Sequence, residues 1–302
     1  MHDVIIIGGG PAGLAAGIYA IRRGLSTLVI EKKMPGGQLL LIKEIENYPG
    51  FGVIVGEELA ARMTEQAKRL GVEFVMEEAV DMSFNDKAKK IKTLENEYSA
   101  KAVIIAKGGE YLKLGILGEK ELTGRGVSFC AVCDGPFFKN RVIAVVGGGN
   151  KAVGDAIYLS GMAKKTYLIH RRDTLRAEET NQTKLAEYGV ELILDTIVEE
   201  VVGGPLVRSI KLKNVKTGEK RELCVDGVFI SIGILPKTEV EKKNGIAVDE
   251  KGFIKVGRNQ ETSVCGVYAA GDITGGVMQI TTAVGDGCVA ALSAYKHIKE
   301  LH

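Results

Sequence analysis

Residues 4–13 read VIIIGGGPAG, and this short run decides the fold. The apolar start, DVIII, favours a buried strand. Gly8, Gly10 and Gly13, with Pro11 and Ala12 between the last two, then spell G-x-G-x-x-G. A helical pattern follows from Leu14 to Arg23 and stops at Gly24, a residue suited to ending a helix. Next comes STLVIE, a second strand ending in Glu31 with Lys32 beside it. Strand, glycine turn, helix, strand and acid in that order form a dinucleotide-binding βαβ unit. The glycines allow a tight turn and close approach of a pyrophosphate, the helix N-terminus faces the phosphates, and Glu31 can accept hydrogen bonds from a ribose.

Residues 4–21 carry no charge, over a length approaching a membrane span. Glycines and a proline interrupt the run, Asp3 rather than a basic region precedes it, and Glu31, Lys32 and Lys33 follow, so a strand, turn and helix explain it better. Across 302 residues, 40 Lys and Arg nearly balance 38 Asp and Glu, which argues against a nucleic-acid partner. The size suits about two domains.

The pattern recurs after Arg141, where VIAVV leads into GGGNKA. Gly147, Gly149 and Ala152 match G-x-G-x-x-A, with Asn150 and Lys151 at the helix start, and TYLIH is the following strand. This strand ends not in an acid but in His170, Arg171 and Arg172, with Arg176 shortly after. Guanidinium groups suit a 2′-phosphate that a carboxylate would repel, so the second site is expected to prefer NADPH; the alternative is a solvated basic edge. Pyridine nucleotide at both sites would accomplish little. FAD at the first and NADPH at the second pair a hydride donor with an acceptor that can pass electrons onward.

Near the C-terminus, GVYAAGDITGG places a short strand before Gly271 and Asp272, and an apolar helical pattern with small residues follows. A carboxylate at that turn can bind the sugar-alcohol chain of a flavin, or merely cap a turn. The expected architecture is α/β, with two Rossmann-like nucleotide-binding domains, the second inserted into the first. The FAD domain is expected at residues 1–112 and 240–302 and the inserted NADPH domain at 113–239, with KLGILGEK (113–120) and SIGILPKT (231–238) as hinges.

Between the two fingerprints lies CAVCDG, residues 130–135, in a chain with five cysteines. Zinc would need further ligands, yet there is no second Cys pair and only four His, two of them terminal. Inert buried thiols would not need this spacing. A reversible disulfide between Cys130 and Cys133 remains, and Asp134 beside it can supply or remove protons, unless it only caps a turn. Cys224, Cys265 and Cys288 are isolated, so no secreted disulfide framework is present and a reducing cytoplasm fits.

The chain resembles the low-molecular-weight thioredoxin reductases: GGGPAG, the GGQ at 36–38, ENYPGF at 46–51, CAVCDG, GGGN, HRRDTLRA, and AAGD with Gln279 occur in that family's order. The resemblance implies FAD, NADPH, a homodimer and a thioredoxin-like protein as electron acceptor. It also implies FAD contacts from Gly37, Gln38, Asn47, Ala79 and the stretch Gln279, Ile280, Thr281 to Ala283, and from Ala106 and Gly108 after the strand ending near 105. The more exposed thiol, expected to be Cys130, would attack the acceptor while Cys133 faces the flavin. The inserted domain is expected to swing on its hinges, offering nicotinamide and disulfide to the flavin in turn.

Three positions depart from the family pattern. Lys107 stands where threonine is usual and puts a charge beside the expected cofactor contact. Gly154 and Asp155 replace an acidic pair in the second fingerprint helix, and Met278 replaces a basic residue before Gln279. These departures keep NADH or a reduced deazaflavin open as donors and another protein as acceptor. Rival readings are a redox-sensing nucleotide-binding module without turnover, a ferredoxin–NADP reductase, which would lack the thiol pair, and the reductase of a peroxide-scavenging pair, whose extra N-terminal module has no room before Asp3.

Overall fold

The structure, a computed structural model, describes residues 1–42, 45–84 and 88–300. The chain divides into two units, Met1–Glu110 with Leu235–His302, and Tyr111–Ile234. The first segment contains β1 (His2–Ile7), α1 (Pro11–Arg22), β2 (Thr27–Ile30), α2 (Gly56–Arg69), β3 (Glu73–Val75), β4 (Ala79–Phe84), β5 (Lys89–Thr93), β6 (Glu97–Ile105) and β7 (Glu110–Tyr111). The second unit continues with α3 (Glu119–Leu122), β8 (Val127–Ser128), α4 (Ala131–Asp134), β9 (Val142–Val146), α5 (Asn150–Ser160), β10 (Lys165–Ile169), α6 (Glu179–Glu187), β11 (Glu191–Ile193), β12 (Thr196–Gly203), β13 (Val207–Asn214), β14 (Lys220–Cys224), β15 (Gly227–Ile230) and β16 (Ile234–Leu235). The chain then returns to the first unit with α7 (Glu239–Lys243), β17 (Val267–Ala269) and α8 (Ile280–Glu300).

In the first unit β3, β2, β1 and β6 run parallel, β6 also pairs parallel with β17, and β5 and β4 extend the sheet antiparallel. Both faces of the parallel part are covered, which is why β1 is apolar without alternation. Val4 and Ile6 join the core under α1, α2 and α8, while Ile5 and Ile7 join the opposite core with Ile254, Val267 and Ile273. Small residues let α1 and α8 approach closely: a Cβ on Gly287 would lie 2.1 Å from the Ala12 carbonyl oxygen.

The second unit has a parallel sheet in the order β11, β10, β9, β15, β8 and a separate antiparallel sheet β12, β13, β14. Ala144 and Val146 face one core and Ile143 and Val145 the other, the same two-sided burial as β1. The KLGILGEK stretch, expected as a hinge, falls just inside this unit and is held locally. The buried Glu119 carboxylate accepts the N–H groups of Leu114 (3.0 Å), Gly115 (2.7 Å) and Ile116 (3.4 Å). Among the described residues no helix is long and apolar enough to cross a membrane.

Candidate functional site

The first glycine turn is built by close approach on two sides and open space on the third. Gly8 has φ of +105°, and a Cβ there would meet the Ala106 carbonyl oxygen at 2.4 Å, so only glycine fits. A Cβ on Gly13 would meet the Gly8 oxygen at 1.9 Å, whereas one on Gly10, the residue before α1, would come no nearer than 4.0 Å to anything. That vacant side, with Pro11 starting the helix, leaves room for the expected pyrophosphate. Ala12 packs in the core behind it. Glu31 sits at the end of β2 as expected, its carboxylate accepting the Gly9 N–H (2.7 Å) and the Lys33 N–H (2.9 Å), while Lys32 reaches Glu110 at 3.8 Å.

The residues implied by resemblance come partly together. Gly37 stacks its backbone on Gly10, Gln38 donates its amide to the Gly109 carbonyl (2.6 Å), and Asn47 donates to Gln279 Oε1 (3.2 Å). Ala106 is bound to Ile7, Gly108 turns the chain beside it, and Ala79 packs on the Ile5 face of the sheet. Gln279 immediately precedes α8, which opens at Ile280 with Thr281 exposed and Ala283 buried. Met278 is held at φ of +55°, in the left-handed region.

Lys107 is neutralised rather than aimed at the site. Its ammonium pairs with Glu241 of α7 at 2.8 Å, and the Glu241 side chain is fully buried with Oε2 unpartnered. Lys107→Met, which strands that carboxylate, is expected to lower the unfolding free energy in denaturant by about 3–5 kcal/mol, with much of it recovered by adding Glu241→Gln.

Two residues that sequence reasoning missed, Asp286 and Gln260, stand behind the expected Asp272 at the Gly271 turn. Asp272 lies in the turn Gly271–Thr274, and Asp286 of α8 accepts the Gly271 N–H (3.3 Å) and the Gln260 amide (3.0 Å). Burial first, then the charge of Asp286, pushes Asp272 up to about 6. The clue to Asp286 was an acid between two glycines on an otherwise apolar helix.

The second turn repeats the first. Gly147 has φ of +155° and packs against the Ser231 carbonyl, while a Cβ on Gly149 would meet nothing within 4 Å. Ala152 is buried below it, and Asn150 ties the start of α5 to the following loop by accepting the Glu178 N–H (2.8 Å). Lys151 bridges to Asp155, which also accepts the Ser231 hydroxyl; Gly154 faces open space. Arg176 and Ala177 donate their backbone N–H groups to the Gly148 carbonyl (2.7 and 3.1 Å), which brings the arginine loop against the glycine turn. Arg171, Arg172 and Arg176 are exposed, and Asp173 pairs with Lys216 instead of with them.

His170 departs from its expected role. It is 6% exposed, and its ring lies under Gly148, where a Cβ would meet it at 2.3 Å. Burial, then Arg176, Arg172 and Arg171, hold its pKa below the ordinary value, so it is a neutral floor for the turn and not a surface cation.

The thiols form a disulfide, Cys130–Cys133, with Cα atoms 5.3 Å apart. Cys130 precedes the single turn α4, and its sulfur accepts the Cys133 N–H (3.2 Å); both residues are half-buried. Asp134 closes that turn, and the Ser128 hydroxyl donates to its carboxylate at 2.6 Å. Burial pushes the Asp134 pKa up against the opposing pull of that hydrogen bond, which suits a group that must hold a proton and give it up.

Residues 2–287 match the family described as pyridine nucleotide-disulphide oxidoreductase. The chain is 45% identical to the thioredoxin reductase of Bacillus subtilis (strain 168) across 100% of this chain and 96% of that relative. A crystal structure of thioredoxin reductase from Streptococcus pyogenes MGAS5005 superposes with a TM-score of 0.95 at 42% identity, covering 99% of both chains. The thioredoxin reductase from Giardia duodenalis gives 0.93 at 37% identity, again covering 99% of each.

Proposed function

The chain belongs to the pyridine nucleotide-disulphide oxidoreductases and, within them, to the thioredoxin reductases; from that premise we propose that it carries electrons from NADPH through FAD and the Cys130–Cys133 disulfide to thioredoxin. The observation that carries this reading is a disulfide closed over one helical turn with a half-buried acid beside it whose pKa burial raises, in a chain with two glycine turns each open on one side at a helix start.

The first unit would hold FAD: the open face of Gly10 and the N-terminus of α1 at the pyrophosphate, Glu31 at a ribose, and Asp272 with the start of α8 toward the flavin end. When bound, FAD supplies a two-electron relay between nicotinamide and disulfide. The second unit would hold NADPH at Gly149 and the start of α5, with Arg171, Arg172 and Arg176 on the 2′-phosphate and His170 bracing the turn beneath.

Reduction of the disulfide takes two electrons and two protons. Asp134 donates a proton to a departing thiolate and can take one back when the dithiol attacks. Cys130 attacks a thioredoxin sulfur, forming a mixed disulfide and releasing one thiol; Cys133 then attacks Cys130, restoring the intramolecular bond and releasing the second. We also infer a homodimer and a cytoplasmic location, the first checked by light scattering.

Anaerobic NADPH is expected to bleach the yellow protein, and oxidised thioredoxin added afterwards should restore the colour. Bleaching by NADH but not NADPH would overturn the donor assignment, and failure of thioredoxin to reoxidise the reduced protein would overturn the acceptor.

A further inference from the structure

Two carboxylates meet at the Gly271 turn with no cation to balance them among the described residues. No described group donates a hydrogen bond to the Asp272 side chain; burial and the Asp286 charge are the two influences on it. Asp286 is anchored on both oxygens, Oδ2 by the Gly271 N–H and Oδ1 by the Gln260 amide. Burial raises its pKa and the Gly271 N–H opposes that rise.

Gln260 is the unexpected part. It sits at φ of +62°, a conformation costing about 1–2 kcal/mol for a residue with a side chain, and its backbone carbonyl is fixed by the Ala269 N–H of β17. Its Oε1 is buried with no partner. The strain and the orphaned oxygen accompany one favourable contact, an amide donor on Asp286, because the opposite amide orientation would press oxygen against carboxylate.

We propose that Asp286 is a positioning residue of the flavin site: it holds the Gly271 turn and places a like charge behind Asp272, so that FAD retention depends on a carboxyl pair and not on one acid. This rests on the assignment of FAD to the first unit made above. Asp272 has unused acceptor capacity for hydroxyl groups, and its ionised form is the better acceptor. Binding therefore favours the deprotonated acid, and FAD affinity is expected to be full at neutral pH and to weaken as pH falls through about 6. With that midpoint only about one-tenth of Asp272 is ionised at pH 5, a loss of about tenfold in affinity relative to pH 8.

Asp286→Asn removes the charge while keeping the shape. The new amide oxygen can still accept the Gly271 N–H, and a flipped Gln260 can turn its idle Oε1 to the new NH₂.

The test dilutes the holoprotein between pH 5 and pH 8 and follows FAD release by the recovery of flavin fluorescence, a measurement independent of turnover. The wild type is expected to lose about tenfold in affinity across that range, and Asp286→Asn about threefold or less, since burial continues to act on Asp272. Asp272→Asn should flatten the profile. If Asp286→Asn does not accumulate as holoprotein, Asp286→Ser is expected to show the same shallower profile. A uniform loss of affinity with an unchanged profile would make Asp286 merely structural and overturn the proposal. A wild type that never retains FAD would instead overturn the assignment of the site itself.

Discussion

Cys133→Ser is expected to cut NADPH-driven reduction of thioredoxin by at least about three orders of magnitude while the protein remains folded and yellow. The two sulfurs act as one unit. A single remaining Cys130 can form a mixed disulfide with an acceptor, but nothing adjacent can resolve it, because the other free cysteines lie on β14, before β17 and in α8. Serine preserves size and the backbone N–H that Cys133 donates, and the core contact of this turn comes from Ala131, so stability should change little. NADPH-dependent reduction of ferricyanide, which bypasses the thiols, is expected to persist within about twofold. Retention of a tenth of the thioredoxin activity would show that electrons leave by another route.

Arg171→Ala combined with Arg172→Ala is expected to lower kcat/KM for NADPH by about 10²–10⁴-fold and to leave NADH within about threefold. Hydrogen bonds from a guanidinium to a charged partner contribute about 1.5–3 kcal/mol each, and 1.4 kcal/mol is a factor of ten. Both side chains are exposed, and Asp173 beside them is occupied by Lys216, so their loss should remove phosphate recognition without disturbing the loop, which is fixed through the Arg176 backbone. Equal losses for the two nucleotides would mean that the arginines hold the loop and do not read the phosphate.

The βαβ signatures were legible because they depend on neighbours in sequence: glycine spacing, a following helix and a strand-end residue all fall within one short segment. His170 shows where such reading stops. Its position at a strand end marks it for the nucleotide, but its N–H still pairs with Ile193 and its carbonyl with Thr196, so the ring follows the pleat inward under Gly148. Burial direction there depends on β11, which local pattern does not reveal. Lys107 was readable as a departure but not as a neutral one, because its partner Glu241 is brought in by tertiary folding. Asp286 escaped for a similar reason, since only the packing of α8 on the Gly271 turn makes it part of the site. The local bonds from Leu114 and Gly115 to Glu119 were not readable either, because glycine spacing does not show which carboxylate will turn inward to accept them.

The discontinuity of the first unit bears on how the molecule is made. The small-residue groove of α1 that receives Gly287, and the edge of β6 that receives β17, belong to residues translated early, while the pieces that cover them arrive last. A ribosome that has delivered Tyr111–Ile234 has supplied every strand of that unit's sheets, yet the N-terminal half-sheet must wait with apolar surface uncovered. Nascent chains stalled before β17 should therefore recruit chaperones through their oldest segment, and the Gly271 turn can close only once α8 has emerged.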